Sequence, residues 1–298
     1  MILVTGGTGF IGSFLVPRLV SAGYDVRLLL RPSGRNPKLP MGRKFDVALA
    51  SLRDLSGLRS AVTGVDTIVH LASSESRGLR ADFQGVDIDG TRNLLQAARE
   101  SGIERLIYLS HLGADSASAY PLLRAKGIAE QLISNSGIRH TIVRSAVVFG
   151  PNDRFVTPLM QVIRHSPGIL PVPEASQGLL QPIWVDDLVS CLLIALRDGG
   201  AYDRLYTVGG AEILSFAQIL NTLTTAMGIR RVKLPIGMTW LRWATAISEQ
   251  LSPRFPLSVQ LFDILAADRI AGTDSLERDF GIVPSGFSQR VRDLAEFW

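Results

Sequence analysis

The feature that most constrains the fold is a glycine-rich string close to residue 5. Residues 4–12 read VTGGTGFIG, with an apolar run before them and helical apolar spacing after them. Glycines at three-residue spacing permit a tight turn, close approach of a ligand to the backbone, and close helix packing. The following helix N-terminus attracts phosphate through its unpaired N–H groups and its dipole. The string predicts a dinucleotide-binding βαβ unit. A loop for another phosphate ligand, or an ordinary turn, is the alternative. The expected pyrophosphate contacts are Gly6, Thr8, Gly9, Phe10, Ile11 and Gly12.

The second predicted strand, 24–30, ends where dinucleotide-binding proteins recognise the adenosine ribose. Proteins that bind NAD place a carboxylate there, and this chain has Leu30. Arg31 follows directly and Arg35 lies a few residues on; guanidinium groups suit the 2′-phosphate of NADP. We therefore predict NADP(H) in preference to NAD(H). The alternative is that both arginines are solvated loop charges.

Length and composition fit a globular protein with a large buried core. The chain has 298 residues, 46% of them hydrophobic, a formal net charge of +4 and one cysteine, Cys191. This cysteine lies in an apolar run, which predicts a small buried side chain. Lys and Arg are scattered, so no nucleic-acid partner is expected. No apolar run is long enough for a transmembrane segment, and the first strand leaves no room for a targeting peptide, so a cytoplasmic location is expected.

Strand and helix patterns alternate along the first half of the chain. Predicted strands at 45–48, 67–71, 105–110 and 141–148 are separated by predicted helices at 55–62, 91–100 and 122–135. This alternation predicts an α/β fold with a Rossmann-type doubly wound parallel sheet and a smaller, mainly helical C-terminal lobe. We predict a dinucleotide-binding domain at 1–151, with 183–210 returning to it. The segments 152–182 and 211–298 would form the substrate or partner lobe.

Several further strings occur in order along the chain. They are VDTIVHLA at 65–72, GTRNL at 90–94, YLS at 108–110, Lys126, RSAVVFGP at 144–151 and PIWVDD at 182–187. Together with the glycine loop they resemble the extended and atypical branches of the short-chain dehydrogenase/reductase superfamily, and the likeness covers most of the chain. Within these branches the chain is similar to NmrA-like proteins, and to the NAD(P)H-binding accessory subunit of respiratory complex I and its bacterial relatives.

The resemblance implies a catalytic set from which this chain departs. Catalytic members carry a Tyr four residues before the Lys, and here that position is Leu122, which has no proton to transfer. The resemblance implies that Lys126 binds the nicotinamide ribose; an exposed helix lysine is the alternative. Ser110 or His111 would face the nicotinamide, and a histidine suits proton donation to a carbonyl or quinone oxygen. A His111 ring that is only hydrogen-bonded within its loop is the alternative.

The resemblance also implies further cofactor contacts. In these branches an Asp after the third strand binds the adenine amino group, and Ser51 and Leu52 occupy that region here. Asp87 replaces a structural Asn of the superfamily, and both a pairing with Lys126 and a solvent-facing position are open. The other expected contacts are Leu71, Ala72 and Ser73 along the ribose, and Ala146 and Val147 beside the nicotinamide ring.

The remaining histidines and two tryptophans add limited information. His70, inside a predicted strand, is interpreted as a hydrogen-bonded core residue. His140 and His165 have no Cys or acidic partner at ligand spacing, so no metal site is predicted. Trp240 and Trp243 share one face of a helix predicted at about 238–251. This face is expected to pack on the nucleotide-binding domain; a surface for an apolar substrate, a partner protein or a membrane edge is the alternative.

Three functions are compatible with these observations. The leading one is an NADPH-dependent oxidoreductase whose substrate is a small apolar carbonyl or quinone. The second is a non-catalytic NADPH-binding sensor or scaffold for a protein partner, which Leu122 at the Tyr position favours. The third is a nucleotide-sugar epimerase or dehydratase, which requires the missing Tyr. Both a monomer and a homodimer are open, and the fold alone does not decide among the functions.

Overall fold

A computed structural model of the chain describes residues 1–32, 45–174, 178–197, 202–252 and 255–296. Arg35 therefore lies outside the described residues. The chain divides into two compact units. The first contains Met1–Ser74, Asp82–Arg144 and Val189–Tyr206, and the second contains Glu75–Ala81, Ser145–Leu188 and Thr207–Trp298. The second segment of the first unit ends at Arg144, whereas the predicted dinucleotide-binding domain runs to residue 151. Ala146 and Val147 accordingly belong to the second unit.

The secondary structure elements are named in chain order. The strands are β1 (Ile2–Thr5), β2 (Val26–Leu30), β3 (Asp46–Leu49), β4 (Thr67–His70), β5 (Arg105–His111), β6 (Arg139–Ser145), β7 (Val148–Phe149), β8 (Ile169–Pro173), β9 (Leu179–Leu180), β10 (Ile183–Trp184), β11 (Arg204–Val208), β12 (Leu214–Ser215) and β13 (Val232–Ile236). The helices are α1 (Phe10–Ser21), α2 (Leu55–Ala61), α3 (Asp89–Glu100), α4 (Pro121–Ser134), α5 (Val156–His165), α6 (Val185–Arg197), α7 (Phe216–Ala226), α8 (Met238–Leu251), α9 (Gln260–Leu265), α10 (Ser275–Phe280) and α11 (Phe287–Ala295). A 3₁₀ segment at Glu75–Arg80 and a π-helical turn at Phe83–Ile88 precede α3.

A seven-stranded sheet has the order β11-β6-β5-β4-β1-β2-β3. β1 pairs in parallel with β2 and β4, β2 pairs in parallel with β3, and β4 pairs in parallel with β5. From β1 the chain builds outwards through β2 to β3, and then returns to the other side of β1 with β4. Ligands of doubly wound folds bind at such a reversal, outside the carboxyl ends of the strands. The predicted α/β Rossmann-type architecture is confirmed.

The core of the first unit forms where the apolar runs of the strands meet α2, α3 and α4. All four residues of β1 are buried, as expected for a central strand covered on both faces. Leu3, Ile68 and Leu106 are fully buried in one cluster with Leu94 of α3. Cys191 is also fully buried, as predicted.

In the second unit, the charged side chains of α8 are bound within the unit, and its tryptophans are exposed. Its charged side chains bind within the unit: Arg242 pairs with Asp263 at 2.6 Å, and Glu249 accepts the Leu79 N–H at 2.8 Å. Its large apolar side chains face outwards, with Trp240 74% and Trp243 64% exposed. Trp240 and Trp243 therefore do not pack inside the second unit, and the expected packing of this face on the nucleotide-binding domain stays a prediction. None of the helices in the described ranges has the length and hydropathy needed to cross a bilayer.

Candidate functional site

The glycine loop between β1 and α1 has no room for a side chain at Gly6 or at Gly12. Gly6 has φ +72°, and a Cβ atom there would lie 2.7 Å from the Ala72 nitrogen. A Cβ on Gly12 would lie 2.4 Å from the Gly6 carbonyl oxygen. α1 begins directly after Gly9, without a side-chain cap and without an acidic residue in its first turn. The loop thus offers backbone N–H groups and a positive helix end to an anion, which fits the predicted pyrophosphate.

The predicted contacts of the first unit lie at the carboxyl ends of β1, β2, β3 and β4, which form one edge of the sheet. Thr8, Gly9 and Arg31 are exposed at this edge. Leu30 is only 7% exposed, so its side chain belongs to the core and presents no polar group to a ribose. The half-buried members of the predicted set are Gly6, Phe10, Ile11, Ser51, Leu52, Leu71, Ala72 and Ser73. This edge offers backbone donors at the glycine loop and a cationic side chain at Arg31, which suit the phosphates of a nicotinamide dinucleotide.

A chain of buried hydrogen bonds fixes the loop that follows β4. The Thr91 hydroxyl donates to the Asp87 carbonyl at 2.6 Å, so its oxygen must accept the proton of His70 Nε2 at 3.0 Å. In the neutral ring His70 Nδ1 then accepts from the Thr5 hydroxyl at 2.6 Å. The Thr5 oxygen in turn accepts the Ala72 N–H at 3.3 Å. The predicted role of His70 as a hydrogen-bonded core residue is confirmed, and its ring connects α3 to the ribose loop.

The His70 ring is held neutral. It is fully buried, and burial lowers its pKa to about 3, with a smaller contribution from the positive charge of Lys126. The chain of hydrogen bonds agrees with this, because a proton on Nδ1 would leave the Thr5 hydroxyl without its acceptor. Tyr108 stacks on the ring with a centroid separation of 5.4 Å. His70 is therefore a positioning residue rather than a proton donor to substrate.

Asp87 supports the same loop from the other side. It is 1% exposed, and its Oδ2 accepts both the backbone N–H of Ser74 at 3.0 Å and the Ser74 hydroxyl at 2.7 Å. Its Oδ1 is buried without a hydrogen-bond partner among the described residues. The solvent-facing alternative for Asp87 is therefore wrong.

The loop after β3 rests on α3 as well. Asn93 Nδ2 donates to the Leu52 carbonyl at 3.0 Å. One turn earlier a Cβ on Gly90 would lie 2.9 Å from the Cβ of Leu52, so the absence of a side chain lets the loop approach the helix. The two loops expected to contact the adenine and the ribose are thus both attached to the start of one helix.

Lys126 lies inside the first unit rather than on its surface. It is 5% exposed, its Nζ donates to the Leu109 carbonyl at 3.2 Å, and it lies 4.9 Å from the centre of the Tyr108 ring. The exposed-lysine alternative is wrong. Burial raises the pKa of the Tyr108 phenol to about 12, although the nearby charge of Lys126 opposes the shift. The Tyr108 phenol is therefore un-ionised at neutral pH.

The predicted catalytic positions are all buried. Leu122 is 2% exposed, Ser110 3% and His111 8%. Strand alternation places Ser110 on the same side of β5 as Tyr108, and His111 on the opposite side. The Ser110 hydroxyl has no hydrogen-bond partner in the described part of the chain, whereas His111 Nδ1 donates to the Leu112 carbonyl at 3.0 Å. Ala146 and Val147 belong to the second unit, and their place beside the nicotinamide ring stays a prediction. The described ranges contain no cluster of three metal-ligating side chains.

Sequence reasoning missed the residues that hold the loops. Thr91 and Asn93 lie in the GTRNL string, but their spacing gave no indication of what they contact. Thr5 belongs to the glycine string, but that string indicates only the backbone requirements of the loop and not what the Thr5 side chain contacts. Only the alternation of β5, which puts Tyr108 on the side of Ser110, could have been read in advance.

Comparison with known proteins shows the family to which the chain belongs. The profile of a family described as NAD(P)H-binding matches residues 6–154, half of the chain. The Arabidopsis thaliana protein named NADH dehydrogenase [ubiquinone] 1 alpha subcomplex subunit 9, mitochondrial, is 28% identical over 94% of this chain and 73% of its own length. The 2-alkyl-3-oxoalkanoate reductase of Stenotrophomonas maltophilia is 27% identical over 95% of this chain and 94% of its own length. The NADPH-dependent quinone oxidoreductase of Escherichia coli, solved with NADPH, shares the fold with a TM-score of 0.77 at 20% identity, over 99% of each chain. The chain belongs to the NAD(P)H-binding family within the atypical and epimerase-like short-chain dehydrogenases/reductases.

Proposed function

We propose that this protein is an oxidoreductase that binds NADPH in preference to NADH and reduces a small apolar carbonyl or quinone. The observation that carries the cofactor preference is the end of β2. There the buried Leu30 stands where NAD-binding proteins place a carboxylate, and the exposed Arg31 follows it. A guanidinium at this point favours the 2′-phosphate through charge-assisted hydrogen bonds, which an acid would oppose.

The proposed reaction assigns separate tasks to the residues of the site. NADPH, when bound, would supply a hydride. The glycine loop would hold its pyrophosphate, and Lys126, whose Nζ donates to the Leu109 carbonyl, would bind the nicotinamide ribose. Ser110 or His111 would bind the substrate oxygen and deliver the proton. The named activities of two similar proteins, reduction of a 2-alkyl-3-oxoalkanoate and of a quinone, support this substrate class.

A second candidate function rests on Leu122. This buried leucine occupies the position of the family Tyr, which favours a non-catalytic protein that binds NADPH and acts through a partner. The similarity to a complex I subunit supports this reading, because that relative is named as a component of an assembly.

Calorimetric titration tests the cofactor, and turnover separates the two candidates. We expect NADPH to bind more tightly than NADH, and Arg31→Ala to weaken NADPH binding about ten- to a hundredfold while leaving NADH unchanged. Arg99→Ala, which removes an equal charge from the exposed end of α3, is the matched control and should bind as the parent does.

Oxidation of NADPH by a panel of quinones, aldehydes and 3-oxoacids would establish the reductase. Tight binding without turnover would favour the second candidate, and equal affinity for both nucleotides would overturn the cofactor preference.

A further inference from the structure

Two loops of the cofactor edge are hydrogen-bonded, directly or through other side chains, to the first residues of α3 and to the turn before it. One is the loop at Ser51 and Leu52 after β3, and the other is the loop at 71–74 after β4. The first is the loop expected to contact the adenine. The second follows β4, on the other side of β1 in the sheet, so we assign the ribose that it is expected to contact to the nicotinamide half. What holds each of them is found on α3 and the turn before it.

Two residues near the start of α3, two positions apart, connect to different loops. Asn93 donates to the Leu52 carbonyl at 3.0 Å, and Thr91 accepts from His70 at 3.0 Å. Side chains two positions apart point to opposite flanks of a helix, because each residue turns the direction by about 100°. The start of α3 is therefore connected to both loops, directly to one through Asn93 and indirectly to the other through His70.

The two attachments differ in construction. The link to the adenine-side loop is one direct hydrogen bond at a half-buried position. The link to the ribose-side loop passes from Thr91 through His70 and Thr5 to the Ala72 N–H, and its three side chains are at most 1% exposed. Removal of either link leaves the other intact, since they share no atom.

We propose that Asn93 and Thr91 are positioning residues that separately control the affinity of the site for the two halves of the dinucleotide. Asn93 positions the loop for the adenine half, and Thr91, acting through His70, positions the loop for the nicotinamide half. The inference rests on the proposed placement of the cofactor and goes beyond it, because neither residue belongs to the predicted cofactor contacts.

Half-ligands test this assignment directly. The adenine half is represented by 2′,5′-ADP and the nicotinamide half by reduced nicotinamide mononucleotide, each titrated calorimetrically into the full chain. We expect Asn93→Leu to weaken 2′,5′-ADP about tenfold and to leave the mononucleotide within about twofold. Thr91→Val should show the reverse pattern. Thr91→Ser, which keeps the hydroxyl, should restore the parent affinity for the mononucleotide.

The controls separate positioning from a general loss of structure. Ser136→Ala removes another buried hydroxyl of the first unit, which donates to the Ile133 carbonyl at 2.6 Å, and should change neither half-ligand. If Thr91→Val does not fold, Thr5→Val breaks the same chain from β1, and Asn93→Ala is the corresponding second variant for the other loop. Equal weakening of both halves by each variant, or no weakening, would overturn the inference while the cofactor site stands. Failure of the parent protein to bind either half would overturn the proposed cofactor placement, and the inference with it.

Discussion

Gly12 is a residue at which two effects of adding a methyl group oppose each other. Within a helix, alanine is favoured over glycine by about 1 kcal/mol. At this position the new Cβ would lie 2.4 Å from the Gly6 carbonyl oxygen, which is backbone and has little freedom to move. Overpacking of this kind costs about 1–3 kcal/mol, so the clash prevails. We expect Gly12→Ala to lower the free energy of unfolding in urea and to abolish NADPH binding. Ser13→Ala, at the next, exposed position, should do neither.

His70 links the stability of the protein to pH. Its pKa is about 3 in the folded state and near 6.5 in the unfolded chain, so between these values the unfolded state binds one more proton. Stability then rises with pH across this window, and it is lost as the pH falls below 6.5.

The corresponding measurement is urea unfolding at pH 7 and pH 5. We expect His70 to contribute about 2 kcal/mol of the loss on acidification, at about 1.4 kcal/mol per pH unit. His70→Asn should flatten the pH dependence by this amount, whatever its own stability at pH 7. His165→Asn, which changes an exposed histidine, should keep the full dependence. An unchanged slope in His70→Asn would show that the folded ring takes up its proton near the ordinary pKa.

At the scale of elements, α8 reverses the usual relation between hydrophobicity and stability. Trp240 and Trp243 are largely exposed, so changing both to glutamine should alter the free energy of unfolding by less than about 1 kcal/mol. Arg242→Met should cost about 1–3 kcal/mol, because it leaves the buried Asp263 carboxylate without its cation. Burial raises the pKa of Asp263 and Arg242 opposes this shift, so the loss should be smaller at acidic pH, where the acid is protonated. Thermal and urea unfolding of the two variants provide the measurement. A tryptophan variant less stable than Arg242→Met would show that the apolar face of α8 is the one that stabilises the fold.

Single helices and strands could be predicted because their sequence patterns are local. The predicted helix at 238–251 has the bounds of α8, and the predicted strand at 105–110 is β5 without its last residue. The orientation of α8 could not be predicted, because helical spacing shows which residues share a face but not whether that face is buried. The parallel pairing of β8 with β13 joins segments about sixty residues apart, and no local pattern indicates such a pairing.

The candidate site divides in the same way. The glycine loop follows from backbone requirements that leave a trace in the sequence, so its residues could be named. The supports at Thr91, Asn93 and Asp87 depend on which loops the fold brings to the start of α3, and those contacts arise only from tertiary structure.

At the scale of the whole molecule, cofactor binding should appear as stability. A ligand that binds only the folded state adds about 2.7 kcal/mol when its concentration is a hundred times its dissociation constant. We expect NADPH to raise the midpoint of thermal unfolding more than NADH does at equal concentration, and Arg31→Ala to remove the difference. A larger shift with NADH in differential scanning calorimetry would contradict the proposed preference.

The hydrogen bonds from Ala72 to Asp87 have one further consequence, which concerns the exchange of protons with solvent. The Ala72 N–H donates to the Thr5 oxygen at 3.3 Å, and the buried bonds that continue through His70 to Thr91 keep this acceptor in place. These side chains belong to β1, β4 and α3, the interior of the first unit. The Ala72 amide should therefore exchange with heavy water more slowly than an unbonded loop amide does, and Thr91→Val should speed its exchange.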